Sequence, residues 1–209
     1  MDALAAIRQR VLVPLGLTEI KLAGFEPIDP LQLPVRYHFA TREFRHDVGV
    51  HPSFKWVSPQ LIDVSGSNLS TEWVAGGMLA SARNLAECAR ALRDGLVVGP
   101  SAMKRLLSFQ PTGETSGGEQ AVSEGLFRGR YGGDVVIGHT GDVLGFSATM
   151  GWLEGEDMVL VLLANGGSMH SGTGAYFLAQ LLADTQVIQR AKELAQSLRV
   201  KPPLKRHRP

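Results

Sequence analysis

The sequence predicts an α+β fold: helices first, then an antiparallel sheet, then a terminal helix packed on that sheet. Three observations carry this prediction. Apolar residues recur at helical spacing in 3–13 and 82–92, the period changes to two after Val122, and a last helical pattern runs from Gly174 to about Leu198. The expected organisation is a single domain over 1–200, mostly helical through 1–110 with an irregular 24–70 loop. Antiparallel strands and the terminal helix then fill 121–198, and 201–209 form a basic disordered tail.

The elements follow in order. Leu4, Ile7, Val11 and Leu12 share one helical face that ends at Pro14, with no capping sequence before it. Pro14-Leu15-Gly16-Leu17-Thr18 reads as a turn. Residues 24–70 are rich in Pro, Gly, Ser and aromatics and read as a long irregular excursion with short strands at most. Helical order returns from Trp73 to Leu92. There Ser81 is the expected N-cap, and Leu85, Cys88, Ala89 and Leu92 form the buried face. Asp94-Gly95 closes that helix, and Pro100-Ser101 caps and opens another through about Leu107. Pro111 to Gln120 reads as a flexible loop.

Val122–Arg130 and Val135–Thr140 flank Tyr131-Gly132-Gly133-Asp134, a hairpin signal. Gly145–Leu153 and Asp157–Ala164 flank Glu154-Gly155-Glu156 and predict a second hairpin. Met158 to Leu163 is uninterrupted apolar sequence, which predicts a strand buried on both faces. Asn165-Gly166-Gly167 ends it. The final helix is apolar at Phe177, Leu178, Leu181, Leu182 and Ile188.

Composition narrows the function classes. An apolar share of 44% with 20% charged residues is that of a folded globular chain. The formal net charge of +1 supplies no global field for nucleic acid, and Lys201, Lys205, Arg206 and Arg208 cluster only in the proline-broken tail. Cys88 is the single cysteine, so no intrachain disulfide forms, and its place in an apolar helical pattern makes it a small core residue. The longest apolar run is too short to span a bilayer. Met1-Asp2-Ala3-Leu4 carries an acid where a signal peptide carries a base, so the chain reads as cytoplasmic as given, or as one whose true N-terminus lies elsewhere.

The segment that carries chemistry is Gly138-His139-Thr140-Gly141 with Gly145-Phe146, fed by the short apolar strand Val135-Val136-Ile137. His139 orients or polarises, the Thr140 hydroxyl binds a carboxylate or carbonyl, and Gly141 lets a substrate backbone approach and add to the sheet edge. As a bare tripeptide the same residues also make an ordinary turn. Ser101-Ala102-Met103-Lys104 places a hydroxyl and an amine three residues apart on a helix, but at a helix start it reads as a cap plus a surface lysine. His38, His46 and His51 fit no short ligand motif and read as solvated loop residues. No cofactor or metal site is expected.

Four stretches in register resemble the C-terminal portion of the serine β-lactamase-like hydrolases: class C β-lactamases, penicillin-binding D-Ala-D-Ala carboxypeptidases and related esterases. Val11 to Thr18 is similar to the helix end and turn after that family's Tyr-x-Asn region. Ala75-Gly76-Gly77-Met78-Leu79-Ala80-Ser81 with Asn84-Leu85 is similar to its Gly-Gly helix entry. Gly138 to Phe146 resembles its His-Thr-Gly segment, and Val159 to Asn165 the strand that follows. The resemblance covers about 1–185 and implies a partial acyl-serine transferase fold. It implies an auxiliary role in proton transfer for His139, substrate binding by Thr140 and Gly141, and an oxyanion donor in the backbone N–H of Asp142. The family more often has glycine at that last position, so a carboxylate there must point away from the oxyanion.

The family acylates a serine in Ser-x-x-Lys and uses a Tyr-x-Asn or Ser-x-Asn element. The resemblance places both before residue 1, so the nucleophile is absent. It also places the 24–70 excursion along the substrate cleft, with Tyr37, Phe39 or Trp56 shaping specificity. The expected function is the C-terminal part of a serine hydrolase of esters or amides, inactive alone. Its ligand would be a small acyl substrate: an ester, a lactam or a D-amino-acid peptide. Alternatives are a non-catalytic binding module, or a partner-completed protein in which an N-terminal half or self-association covers a hydrophobic edge beside Met158 to Leu163.

Overall fold

The computed structural model describes residues 2–115, 118–131, 133–168 and 185–200. Helix α1 (Ala3–Ile7) starts on Asp2, whose carboxylate accepts the Ala5 N–H at 2.8 Å. A cap is therefore present where the sequence reading found none. A π-helical turn, Arg8–Leu12, continues it. Leu12 is buried there with Leu17 and Ile20, and Cys88 packs against the same cluster. Burial pushes the Cys88 thiol pKa up, as for a packed, unreactive cysteine.

Strand β1 (Lys21–Leu22) precedes the 24–70 excursion, which holds β2 (Tyr37–Phe39), α2 (Arg42–Asp47), β3 (Lys55–Ser58) and β4 (Leu61–Asp63). The strands are short, as expected, but they assemble. Ala40, Phe44, Ile62 and Val64 make a small core of their own, joined by Val50, Phe54 and Leu144. Next come α3 (Trp73–Gly76), β5 (Met78–Leu79), α4 (Ala82–Arg93) and α5 (Pro100–Leu106). The Ser81 hydroxyl caps α4 by accepting the Asn84 N–H at 3.2 Å. Helix α5 is capped at Gly99 without a side-chain bond, so Ser101 lies inside the helix and is no cap.

Six strands then run as a meander: β6 (Gln110–Thr115), β7 (Gly118–Val122), β8 (Phe127–Tyr131), β9 (Asp134–Val143), β10 (Phe146–Leu153) and β11 (Val159–Ala164), all antiparallel. Pro111 to Gln120 is therefore largely strand, not loop. Its polar sequence suits β6, the outer strand of the sheet, where no core demands apolar alternation. β12 (Gly166–Gly167) turns away and pairs in parallel with β2, giving the small sheet the order β12-β2-β4-β3. Helix α6 (Thr185–Val200) closes the described chain. Phe177, Leu178, Leu181, Leu182 and the basic tail lie outside the described residues.

Both faces of the large sheet are covered. Tyr131, Val136 and Leu153 pack with Ile188 of α6 on one face. Leu126, Ile137 and Trp152 pack against Leu92 of α4 and Leu106 of α5 on the other. Full burial of each such side chain contributes about 1.5–3 kcal/mol. β11 corrects an expectation: it is the sheet's terminal strand, half-buried along its length, with Leu163 43% exposed. Its run is apolar because Leu160 and Leu162 face one core and Val159 the other. One edge nevertheless has no strand beside it among the described residues. No described helix is long and apolar enough to cross a membrane.

Candidate functional site

The Gly-His-Thr-Gly segment lies inside β9 rather than in a turn; the turn comes later, at Leu144-Gly145. β10 accompanies β9 from Val143↔Phe146 to Val136↔Leu153. β8 pairs only from Tyr131↔Asp134 to Phe127↔Gly138. Residues 139–143 thus have a strand on one side and none on the other among the described residues. The Glu154 N–H donates to Val135 O at 2.8 Å, which sets the phase of the β9–β10 ladder. By alternation, Thr140 and Asp142 point backbone N–H and C=O to the open side, while His139 and Gly141 point theirs to β10.

β8 stops where it does because its entry turn is tied down. Gly125 holds φ +105°, the Ser123 N–H donates to Leu126 O at 2.9 Å, and the Ser123 hydroxyl donates to Leu106 O of α5 at 2.6 Å. The side chains along the opening are sorted by the strand's period. His139 and Gly141 are exposed on one face, and the half-buried Thr140 and Asp142 lie on the other. The His139 ring sits 4.9 Å from that of Phe127, the first residue of β8. A Cβ on Gly141 meets nothing within 4 Å, so this glycine borders open space, as a backbone-binding role needs. Gly138 is the contrast: a Cβ there falls 2.0 Å from Met150 O, so it serves strand packing.

Asp142 is committed elsewhere by its side chain. Its carboxylate accepts the Ser168 N–H at 2.8 Å and the Ser168 hydroxyl at 2.7 Å. The Ser147 hydroxyl lies 3.1 Å from the same carboxylate and 2.7 Å from Gly166 O. The backbone N–H of Asp142 faces the opening while its charge is spent on tying β12 to β9. Opposite Thr140 stands Thr149, whose hydroxyl is buried without a hydrogen-bond partner among the described residues.

The hairpin tip is seated by residues the sequence reading missed. Gly145 has φ +92°, and a Cβ there meets Val64 at 2.8 Å and Arg36 at 2.9 Å. Arg36 is 3% exposed; it donates to Ser65 O at 2.5 Å, Ser67 O at 3.0 Å and Ser67 Oγ at 2.9 Å, and lies 5.8 Å from the Phe146 ring centroid. Burial pushes the guanidinium pKa down, partly countered by Asp63. No sequence motif marks Arg36, because its partners, two backbone carbonyls and the Ser67 hydroxyl, are brought in by the chain's path. Asn165, noted in sequence as the end of its strand, donates its side-chain amide to Val35 O at 2.7 Å. On the other flank, a Cβ on Gly76 meets Val143 at 3.2 Å. Nearby Trp73 holds φ 42°, a strained value for a residue with a Cβ.

The remaining candidates lie on other elements and loops. Ser101 and Lys104 are both exposed on α5. His38 is not a solvated loop residue: it is fully buried in β2, its ring 4.6 Å from Phe44. His46 and His51 are exposed, as expected. Trp56 is 50% and Phe39 42% exposed. Among the described residues no cluster of three His, Cys, Asp or Glu is placed to hold a metal ion.

Comparison with known proteins bears on the family and the fold. No curated protein matches the chain. Among solved structures, D-amino acid amidase from Ochrobactrum anthropi SV3, complexed with D-phenylalanine, superposes with a TM-score of 0.72 at 21% identity, covering 90% of this chain and 52% of that one. D-stereospecific amidohydrolase from Streptomyces sp. gives a TM-score of 0.61 at 22% identity over 78% of this chain and 44% of that one. A penicillin binding protein from Bacillus halodurans gives 0.55 at 15% identity over 91% and 49%. The chain spans about half the length of these structures and shares their fold. The Beta-lactamase family model matches residues 1–184. With that match over most of its length, the chain belongs to the beta-lactamase family.

Proposed function

We propose that this chain is the substrate-binding portion of a serine hydrolase that cleaves an ester or amide through an acyl-serine. The observation that carries the reading is the open backbone of Thr140 and Asp142, flanked by exposed His139 and Gly141. An extended acyl substrate pairs with this edge as an added strand. The Thr140 hydroxyl binds its carboxylate or carbonyl, and His139 assists proton transfer. The Asp142 N–H donates to the oxygen on which charge develops; a donor so placed is worth about 10²–10³ in rate. The serine and its lysine come from the part of the fold that this chain does not span, so the chain alone binds without turning over. Purified protein should neither hydrolyse nitrocefin or p-nitrophenyl acetate with saturable kinetics nor gain mass from a fluorophosphonate. Saturable hydrolysis unaffected by Ser101→Ala would overturn the reading.

A second reading concerns completion. β11 ends the sheet with an apolar, partly exposed edge, and the solved relatives are about twice as long as the matched region. A strand from a separate N-terminal half, or from another copy, suits that edge. Sedimentation of the isolated chain checks this; a clean monomer at high concentration counts against it.

A further inference from the structure

Thr149 stands on β10 directly opposite Thr140 of β9. The Glu154 N–H bond to Val135 O sets the phase of this ladder, so Thr140 and Thr149 share no backbone hydrogen bond. Side chains of such a pair approach more closely than those of a bonded pair, and two threonines so placed can join through their hydroxyls. These two do not. The Thr149 hydroxyl is buried, in a residue 4% exposed, and has no hydrogen-bond partner among the described residues. Its other neighbours on this face are apolar or engaged. Leu162 faces it from β11 and packs against the cluster around Ile188. Along β10, Gly151 has no side chain and Ser147 donates to Gly166 O at 2.7 Å. The Asp142 carboxylate, one rung further along, accepts the Ser168 N–H and hydroxyl. A buried hydroxyl without a partner costs stability, and valine would fill the same space without that cost.

We propose that Thr149 is a positioning residue for Thr140, an inference that rests on the reading of Thr140 as a ligand-binding hydroxyl. A hydroxyl supplies one donor and accepts at two lone pairs. When Thr140 donates its O–H to a ligand carboxylate or carbonyl, its oxygen accepts the Thr149 O–H. The two hydroxyls then form a chain from β10 through β9 to the ligand, in which each bond polarises the next. Since the Thr149 O–H is directed to Thr140, it fixes Thr140 as the donor on the ligand side. The group seated at Thr140 is thereby an acceptor oxygen and not an N–H. Thr149 never touches the ligand and acts only through Thr140.

The test combines urea unfolding with titration of the whole chain by acetyl-D-alanyl-D-alanine, followed by NMR of the Thr140 and Gly141 amides. It compares the wild type with Thr149→Val, Thr149→Ser, Thr140→Val and the double variant Thr140→Val/Thr149→Val. Thr149→Val should leave the urea midpoint unchanged or raise it, yet weaken peptide binding about five-fold, the worth of one hydrogen bond. Thr149→Ser keeps the hydroxyl and should restore most of the affinity. Once Thr140 is replaced by valine, Thr149→Val should change binding no further. A lower midpoint for Thr149→Val, the mark of a hydroxyl already satisfied, overturns the proposal. So does an equal loss of binding with and without the Thr140 hydroxyl. If Thr140→Val weakens binding and Thr149→Val does not, the positioning role fails alone. If Thr140→Val binds like the wild type, or the wild type does not bind, the ligand reading of Thr140 falls and the positioning role falls with it.

Discussion

The Asp142 carboxylate holds Ser168 twice, through its backbone N–H at 2.8 Å and its hydroxyl at 2.7 Å. Asp142 is on the strand with the open edge and Ser168 follows β12, so this contact couples the candidate site to the small sheet. Asp142→Ala leaves a buried N–H and hydroxyl without an acceptor and should cost about 2–3 kcal/mol. Asp142→Asn keeps one acceptor and should cost about half as much. Urea unfolding of the two variants distinguishes the carboxylate's structural work from any catalytic part.

Arg36 provides a second check. Removing its guanidinium strands the carbonyls of Ser65 and Ser67 and empties the space against Phe146 and Gly145. Arg36→Ala should destabilise by about 2–4 kcal/mol. Arg36→Met, which refills the space without the donors, should recover part of it. Thermal denaturation orders the three proteins.

The two glycines of the motif should behave oppositely. Gly138→Ala drives a Cβ to 2.0 Å from Met150 O and 2.5 Å from the Gly151 Cα, so β9 and β10 must part, at a cost of about 3 kcal/mol or more. Gly141→Ala meets open space and should leave stability within about 0.5 kcal/mol. It should nonetheless weaken binding of a ligand along the edge. Pairing unfolding curves with peptide titrations separates the two roles.

A pH dependence follows from Glu154, whose pKa is lowered first by its hydrogen bond from Arg128 and then by that charge. A lowered carboxylate pKa adds stability above its unfolded value that is lost as pH falls through the folded one. The wild type should therefore lose stability from this pair below the ordinary glutamate pKa. Arg128→Met should show a shallower loss across the same acid window in denaturation at stepped pH. Both side chains are substantially exposed, so the difference should shrink with added salt.

At the other end of the sheet, Leu163→Lys tests the uncovered strand. A lysine at this exposed position should lower self-association without reducing unfolding stability by more than about 1 kcal/mol. Light scattering across a concentration series reads it.

The α+β class and the β8–β9 and β10–β11 hairpins were legible in sequence, because the turn residues at 131–134 and 154–156 and the change of period after Val122 are local signals. So was the Ser81 cap. The His-Thr-Gly segment stood out in sequence, though not that it sits mid-strand: a glycine pair reads as a turn until Gly138 is seen against Met150 O. β6 was hidden because an outer strand with one polar face carries no apolar alternation. His38 and Arg36 were hidden for a different reason. Polar side chains become core only when other parts of the chain, here the Phe44 ring and the backbone of Ser65 and Ser67, close round them. Burial of β11 was overstated, since an unbroken apolar run reports two covered faces and says nothing of the edge.

The short β8 has a consequence for how this site can change. Access to Thr140 and Asp142 is governed by strand length, because β8 begins at Phe127 after a turn fastened to Leu106. Exchanging side chains on β8 leaves the doorway as wide as before. Inserting two residues between Leu126 and Phe127 would let β8 grow along β9 and occupy the backbone positions proposed for a ligand. Gain or loss of the open edge is therefore reachable by an insertion or deletion distant in sequence from the His-Thr-Gly residues, which would themselves remain unaltered.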